Sequence, residues 1–147
     1  MQHHTKNKGD IGLGNAIATL LSNNIQVALP MSEHLPFDLI GIDPLGKMAR
    51  IQVKFRAITG EVLTVKLSSS WADKNGSHTR KHSRESYDAI AIYCPDNHQV
   101  YFIPASHICS EACLTIRIDK PKNNQPKKVL FGKDFLDPHL IFTDLSS

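Results

Sequence analysis

After Asp10, apolar residues recur at roughly helical spacing: Ile11, Leu13, Ile17, Leu20 and Leu21. The pattern predicts a helix with Asp10 as its N-cap, weakened at the start by Gly12 and Gly14 and stopped at Asn23-Asn24. A short strand, Ile25 to Leu29, should follow and end at Pro30. Phe37 to Ile42 is an apolar run broken by a single acid, Asp38. The turn residues Asp43-Pro44-Leu45-Gly46-Lys47 separate it from Met48 to Phe55, so the two runs should pair as a hairpin. Glu61 to Leu67, Tyr87 to Tyr93, Gln99 to Ile103 and Leu114 to Ile118 read as further strands. The polar stretch Ser68 to Ser86 reads as a long loop or a poorly patterned helix. Lys120 to Lys128, with two prolines and two asparagines, reads as a basic loop.

One helix and a hairpin-rich sheet place the chain in the α/β or α+β class. The glycines at Gly9, Gly12 and Gly14 precede a helix but follow no strand, which argues against a dinucleotide site. A length of 147 residues predicts one domain, with 41% hydrophobic and 21% charged residues as in ordinary globular proteins. No apolar run reaches the roughly 18 residues of a membrane helix, and the polar start from Met1 to Asp10 predicts no secretory signal. Three cysteines, an odd number, without such a signal predict a reduced, cytoplasmic protein. The net charge of +3 is mild, but its distribution is uneven. Lys74, Arg80, Lys81 and Arg84 form one basic cluster. Arg117, Lys120, Lys122, Lys127, Lys128 and Lys133 form another, opposed only by Asp119. As patterns alone, such runs read equally well as solvated loop.

The predicted hairpin carries the chemistry. Alternation along Ile51-Gln52-Val53-Lys54-Phe55-Arg56 puts Ile51, Val53 and Phe55 on one face and Gln52, Lys54 and Arg56 on the other. An outer strand with a wet face would show the same pattern. Asp38 argues for more, because an acid inside an apolar run is costly unless paired, terminal or functional. If the hairpin closes at its turn, Asp38 comes close to Gln52 or Lys54. A carboxylate, an amide oxygen and an ammonium on one face suit Mg²⁺, which takes oxygen ligands and keeps waters for a phosphate to replace. The lysine is placed to orient a water or to stabilise charge on that phosphate. A chance arrangement or a structural ion pair would give the same spacing.

Several stretches in order resemble the PD-(D/E)-X-K nuclease superfamily, and within it the small homing endonucleases encoded by bacterial group I introns. They are Lys8-Gly9-Asp10-Ile11-Gly12, Leu35-Pro36-Phe37-Asp38-Leu39-Ile40, Arg50-Ile51-Gln52-Val53-Lys54, Tyr87-Asp88-Ala89-Ile90-Ala91-Ile92-Tyr93 and Val100-Tyr101-Phe102-Ile103-Pro104. The resemblance implies a restriction-endonuclease-like α/β core: an N-terminal helix, then a mixed sheet with a hairpin. This core would run from about Lys8 to Pro104 of a single nuclease domain, with the basic loop and a C-terminal extension after it. It further implies a Mg²⁺-dependent, sequence-specific endonuclease for double-stranded DNA, working as a homodimer or homotetramer. Asp38 would be the metal-binding aspartate, Gln52 the second ligand in place of the usual Asp or Glu, and Lys54 the catalytic lysine. With a neutral second ligand the Mg²⁺ requirement should be millimolar.

Relatives often carry a glutamate on the first helix where this chain has Leu13. Asp10, three residues earlier, and Glu33 are the candidates to replace it. The resemblance also turns Lys74, Arg80, Lys81, Arg84, Lys120, Lys122, Lys127 and Lys128 into candidate DNA contacts, with the arginines better suited to guanine. A junction-resolving nuclease and a catalytically degenerate DNA-binding module share the same motifs, and Leu13 and Gln52 favour the latter. The remaining candidates read as structural. His34 is a surface histidine, and Trp71 a packing residue. Cys109 and Cys113 would share a helical face but lack a partner pair for zinc. The apolar segment Phe131 to Phe142 suits packing on the sheet or an oligomer contact.

Overall fold

The computed structural model describes residues 4–81, 84–110, 112–118 and 129–145. Helix α1 spans His4–Ser22. It begins six residues before Asp10, so Asp10 lies inside the helix and is not its N-cap. The polar residues ahead of Asp10 show no apolar period, which hid the first turns from a periodicity argument. The C-terminal end falls where expected. Asn24 adopts the left-handed conformation (φ 62°), its N–H donates to Leu21 O, and the Ile25 N–H donates to Leu20 O at 3.0 Å. This is a Schellman closure, completed by burial of both Leu20 and Ile25.

The strands β1 (Gln26–Ala28), β2 (Leu39–Ile42), β3 (Met48–Phe55), β7 (Ala89–Cys94) and β8 (Gln99–Pro104) form a five-stranded sheet in that spatial order. All neighbours are antiparallel except β3 and β7, which run parallel with Ile51 beside Ala89 and Lys54 beside Ile92. The sheet is therefore mixed, and the connection between β3 and β7 leaves it. That connection holds β4 (Val62–Lys66), β5 (Ser68–Asp73) and β6 (Gly76–Lys81). The mixed α/β architecture, an N-terminal helix followed by a mixed sheet with a hairpin, is the one expected.

A second sheet, in the order β10 (Leu130–Phe131), β9 (Cys113–Arg117), β4, covers part of the first. Two cores result. Ala16 and Leu20 of α1 meet Leu39, Ile51, Ala91 and Phe102 on one face of the five-stranded sheet. Leu63, Val65, Leu114 and Ile116 of the second sheet meet Ile90, Ile92, Tyr101 and Ile103 on the other. Strand β7 is buried throughout because it feeds both.

Two more expectations change, and one alternative is selected. Ser68 to Ser86 is chiefly a β5–β6 hairpin, in which Asp73 Oδ1 accepts the Asn75 N–H at 2.7 Å and Gly76 takes φ 119°. Cys113 opens strand β9 and Cys109 is exposed before it, so the two share no helix. Residues beyond Pro104 are not peripheral: Phe135 lies in the inter-sheet core, and Ile141 and Phe142 lie in the helix-side core. The apolar C-terminal segment thus packs on the sheet. The loop Lys120 to Lys128 lies outside the described residues.

Candidate active site

The β2–β3 hairpin forms as its turn chemistry demands. Asp43 Oδ1 accepts the N–H groups of Leu45 and Lys47 at 3.0 and 2.8 Å, and Gly46 supplies the left-handed residue at φ 87°. Pairing runs from Ile42 beside Met48 to Leu39 beside Ile51. One step further, the Asp38 N–H donates to Ile51 O at 2.9 Å. There the Asp38 side chain takes over from the ladder, its Oδ2 accepting the Val53 N–H at 2.7 Å. Asp38 is exposed, yet its carboxylate is fixed on the Val53 N–H by a charge-assisted hydrogen bond. The acid inside the apolar run is explained: it closes the open end of the hairpin.

On β3 the alternation is as the pattern predicted. Ile51 is fully buried, with Val53 and Phe55 packed on the same helix-side core. Arg50, Gln52, Lys54 and Arg56 take the opposite face, where all four are partly buried. Lys54 lies beside the buried Ile92 of β7. Helix α1 closes on the same point from the other side: a Cβ on Gly12 would stand 3.5 Å from Phe55 Cβ and 3.7 Å from Lys54 O. Lys8, one turn earlier, holds its Nζ 5.9 Å from the centre of the Phe55 ring. Burial is the main cause that lowers the Lys54 ammonium below the ordinary lysine value. The Arg56 charge lowers it further, and Asp38 pulls the other way.

At the other end of this row, Arg50 is neutralised. Its Nε donates to Asp88 Oδ2 at 3.1 Å and its Nη2 to Asp88 Oδ1 at 3.2 Å, while the same carboxylate accepts the Arg50 backbone N–H at 2.7 Å. The Asp88 N–H returns a bond to Arg50 O, and Asp88 O accepts the Ala105 N–H. Asp88 therefore ties β3 to the start of β7 and the end of β8. Sequence reasoning passed over this pair. The signal was present, since Asp88 heads an apolar run much as Asp38 does.

An acid, an amide and a half-buried lysine lie together on the sheet face that also carries Ile90 and Ile92, at the edge of the inter-sheet core. Comparison of the chain with protein families matches residues 3–138 to the PD-(D/E)XK endonuclease model. The chain belongs to the PD-(D/E)XK endonuclease family. Among solved structures the chain is similar to the bacterial homing endonuclease I-Ssp6803I, with a TM-score of 0.71 and 18% identity over 86% of each chain. At that identity the likeness concerns the fold. No curated protein gives a significant match.

Of the residues singled out from this family's pattern, the structure brings Asp38, Gln52 and Lys54 to one place. Leu13 packs against the helix-side core. Asp10 is exposed and two residues before Gly12, about 200° round the helix from the side that rests on β3. Glu33 and His34 are exposed. Among the described residues no three His, Cys, Asp or Glu side chains gather as a metal site. Lys74 is exposed at the tip of the β5–β6 hairpin; Arg80 and Lys81 lie on β6, and Arg84 opens a short 3-10 turn. Lys120, Lys122, Lys127 and Lys128 lie outside the described residues. So does any account of the Trp71 side chain, whose backbone pairs with His78. No helix of the described residues is long and apolar enough to cross a membrane.

Proposed function

We propose that this nuclease is a Mg²⁺-dependent, sequence-specific endonuclease for double-stranded DNA, of the homing kind. The observation that carries the reading is the Asp38 carboxylate fixed on the Val53 N–H, close enough to act on the Lys54 charge, with Gln52 and Lys54 on one face of β3. The donor set fits Mg²⁺: one carboxylate and one neutral amide oxygen, both hard ligands, with remaining positions left to water and phosphate. Asp38 and Gln52 would hold the ion, and Asp10 is given no direct ligand role. When bound, the ion supplies positive charge at the scissile phosphate and a more acidic water.

Lys54 does the rest from the protein side. Its lowered proton affinity lets it exchange a proton with the attacking water more readily than an exposed lysine would. As an ammonium it stabilises the charge that builds on the phosphate oxygens. The water oxygen bonds to phosphorus as the bond from phosphorus to the leaving oxygen breaks, and that oxygen takes up a proton. Lys74, Arg80, Lys81, Arg84 and the lysines of the Lys120 to Lys128 loop would hold flanking DNA. A second copy, in a homodimer or homotetramer, would bring the site for the other strand.

The test is cleavage of supercoiled plasmid carrying a library of intron insertion sites, with Mg²⁺, for the parent and Lys54→Ala. Discrete linear products from the parent alone support the reading, and equal products from both refute the role of Lys54. A second reading has its own support. Leu13, partly buried, packs against the core, and only one carboxylate is fixed at the site, as in a nuclease fold kept for DNA binding. Salt-sensitive binding without Mg²⁺-stimulated cleavage would select it.

A further inference from the structure

We infer that Arg56 holds a backbone phosphate of the DNA, one nucleotide along from the phosphate at Asp38 and Lys54. The inference rests on the nuclease reading and adds to it a contact that neither the family motif nor the basic clusters contain. It starts from the position of Arg56. Strand β3 ends at Phe55, but its ladder to β7 continues one bond further, the Arg56 N–H donating to Tyr93 O at 3.0 Å. Arg56 is therefore the next residue in the row of Gln52 and Lys54. Two residues of strand advance about 6.6 Å, close to the separation of neighbouring phosphates on one DNA strand.

The guanidinium is also prepared for a ligand. Its Nη1 donates to Phe55 O at 2.7 Å, which fixes the plane of the group while leaving the rest of its donor fork. Among the described residues the ion pairs are Arg50–Asp88 and Arg117–Glu61, so no described carboxylate neutralises Arg56. It is partly buried all the same, and stands beside a second partly buried cation, Lys54. Two like charges held side by side out of full solvent are unfavourable unless an anion lies between or along them. Arg50, two steps before Gln52 on the same strand, shows the contrast. There the fold supplies its own carboxylate with two side-chain hydrogen bonds. At Arg56 the anion has to come from outside, and a phosphodiester is the anion this face would meet.

The experiment measures binding of the full chain to plasmid-derived duplex DNA in EDTA, as a function of salt, so that cleavage does not enter. Each phosphate contact contributes about 0.9 to the slope of log affinity against log salt. Arg56→Gln is expected to reduce the slope by about 0.9 and to weaken low-salt binding about threefold to tenfold. Arg56→Lys should keep the slope. Lys47→Gln, at the opposite end of β3, should match the parent. Thermal melts of each variant establish that it is folded, and Arg56→Met, expected to lower the slope as Arg56→Gln does, carries the comparison if Arg56→Gln is not. An unchanged slope in folded Arg56→Gln, or a slope lost equally in Lys47→Gln, overturns the contact while leaving the nuclease reading intact. A parent that binds duplex without salt dependence overturns both.

Discussion

Strand β3 has two sides with opposite solutions to the same problem. Towards α1 it presents Ile51, Val53 and Phe55, which leave water and meet partners of their own kind. Away from α1 it presents Arg50, Gln52, Lys54 and Arg56, polar groups that stay only partly buried. On the first side each residue is stabilised by where it sits. On the second, Lys54 is held in a place that costs it part of its hydration. Under the proposed function the same strand would contribute stability with Ile51, Val53 and Phe55 and chemistry with Gln52 and Lys54. Rigidity is the link, because a site carried on the central strand of a packed sheet inherits the precision of the core behind it.

If the two sides are separable in this way, the largest effect of any single change should be on cleavage and not on folding. Lys54→Ala is expected to lower the rate of plasmid cleavage about a thousandfold, roughly 4 kcal/mol of transition-state stabilisation. Its melting temperature should not fall below the parent's. Single-turnover cleavage beside a thermal melt checks both numbers, and a variant that loses activity because it unfolds would break the comparison.

The converse substitution is Ile51→Ala. Removing a fully buried side chain that touches the helix-side core should cost about 3 kcal/mol of stability. For a chain of this size that is a fall in melting temperature of roughly 10 °C. Cleavage measured well below the new midpoint should stay within severalfold of the parent. A thousandfold loss at a temperature where Ile51→Ala is folded would show that the core side also sets the geometry of the chemical side.

How much of this was readable beforehand divides along the same lines. The β2–β3 hairpin was legible because burial on one face imposes strict alternation and because Asp43 to Lys47 has turn chemistry. The position of Asp38 near Gln52 and Lys54 follows from that hairpin alone. The start of α1 was not legible, since the residues ahead of Ile11 show no apolar period. The β5–β6 hairpin was missed for the same reason: Ser68 to Ser70 and the following polar residues carry no apolar alternation. A signal was available in the Asn75-Gly76 dipeptide, which favours a tight hairpin. The parallel pairing of β3 with β7 was beyond reach, because three strands intervene and nothing local specifies a partner so far along the chain. The core placement of Leu13 was partly visible in its spacing with Ile17 and Leu20. Its consequence for the metal site needed the helix to be docked.

Smaller effects sharpen the comparison at the ends of the polar row. Asp88→Ala removes the partner of Arg50 and the acceptor for the Arg50 N–H, which ties β3 to β7. The Arg50–Asp88 pair is partly exposed, so the expected loss is about 1–2 kcal/mol, carried more by the backbone hydrogen bond than by the ion pair. Urea unfolding at two salt concentrations distinguishes them. A loss that persists at high salt belongs to the backbone bond, and one that vanishes belongs to the charges.

The smallest predicted effect is the most pointed, because it has the opposite sign. Burial lowers the proton affinity of Lys54, so between its folded pKa and the ordinary lysine value of 10.5 the unfolded chain binds more protons than the folded one. Stability attributable to this group therefore rises with pH through that window, and at neutral pH the charged lysine weakens the fold. Lys54→Met keeps the stem that packs beside Ile92 and removes the charge. It should raise stability at neutral pH by about 0.5–1 kcal/mol, a shift of roughly 2 °C, while abolishing cleavage. The gain should shrink when the melt is repeated above pH 10.5, where the parent lysine is neutral in both states. A Met variant no more stable than the parent at neutral pH would mean that Lys54 is fully hydrated in its place on the sheet. The division between a stabilising and a working side of β3 would then fail at its centre.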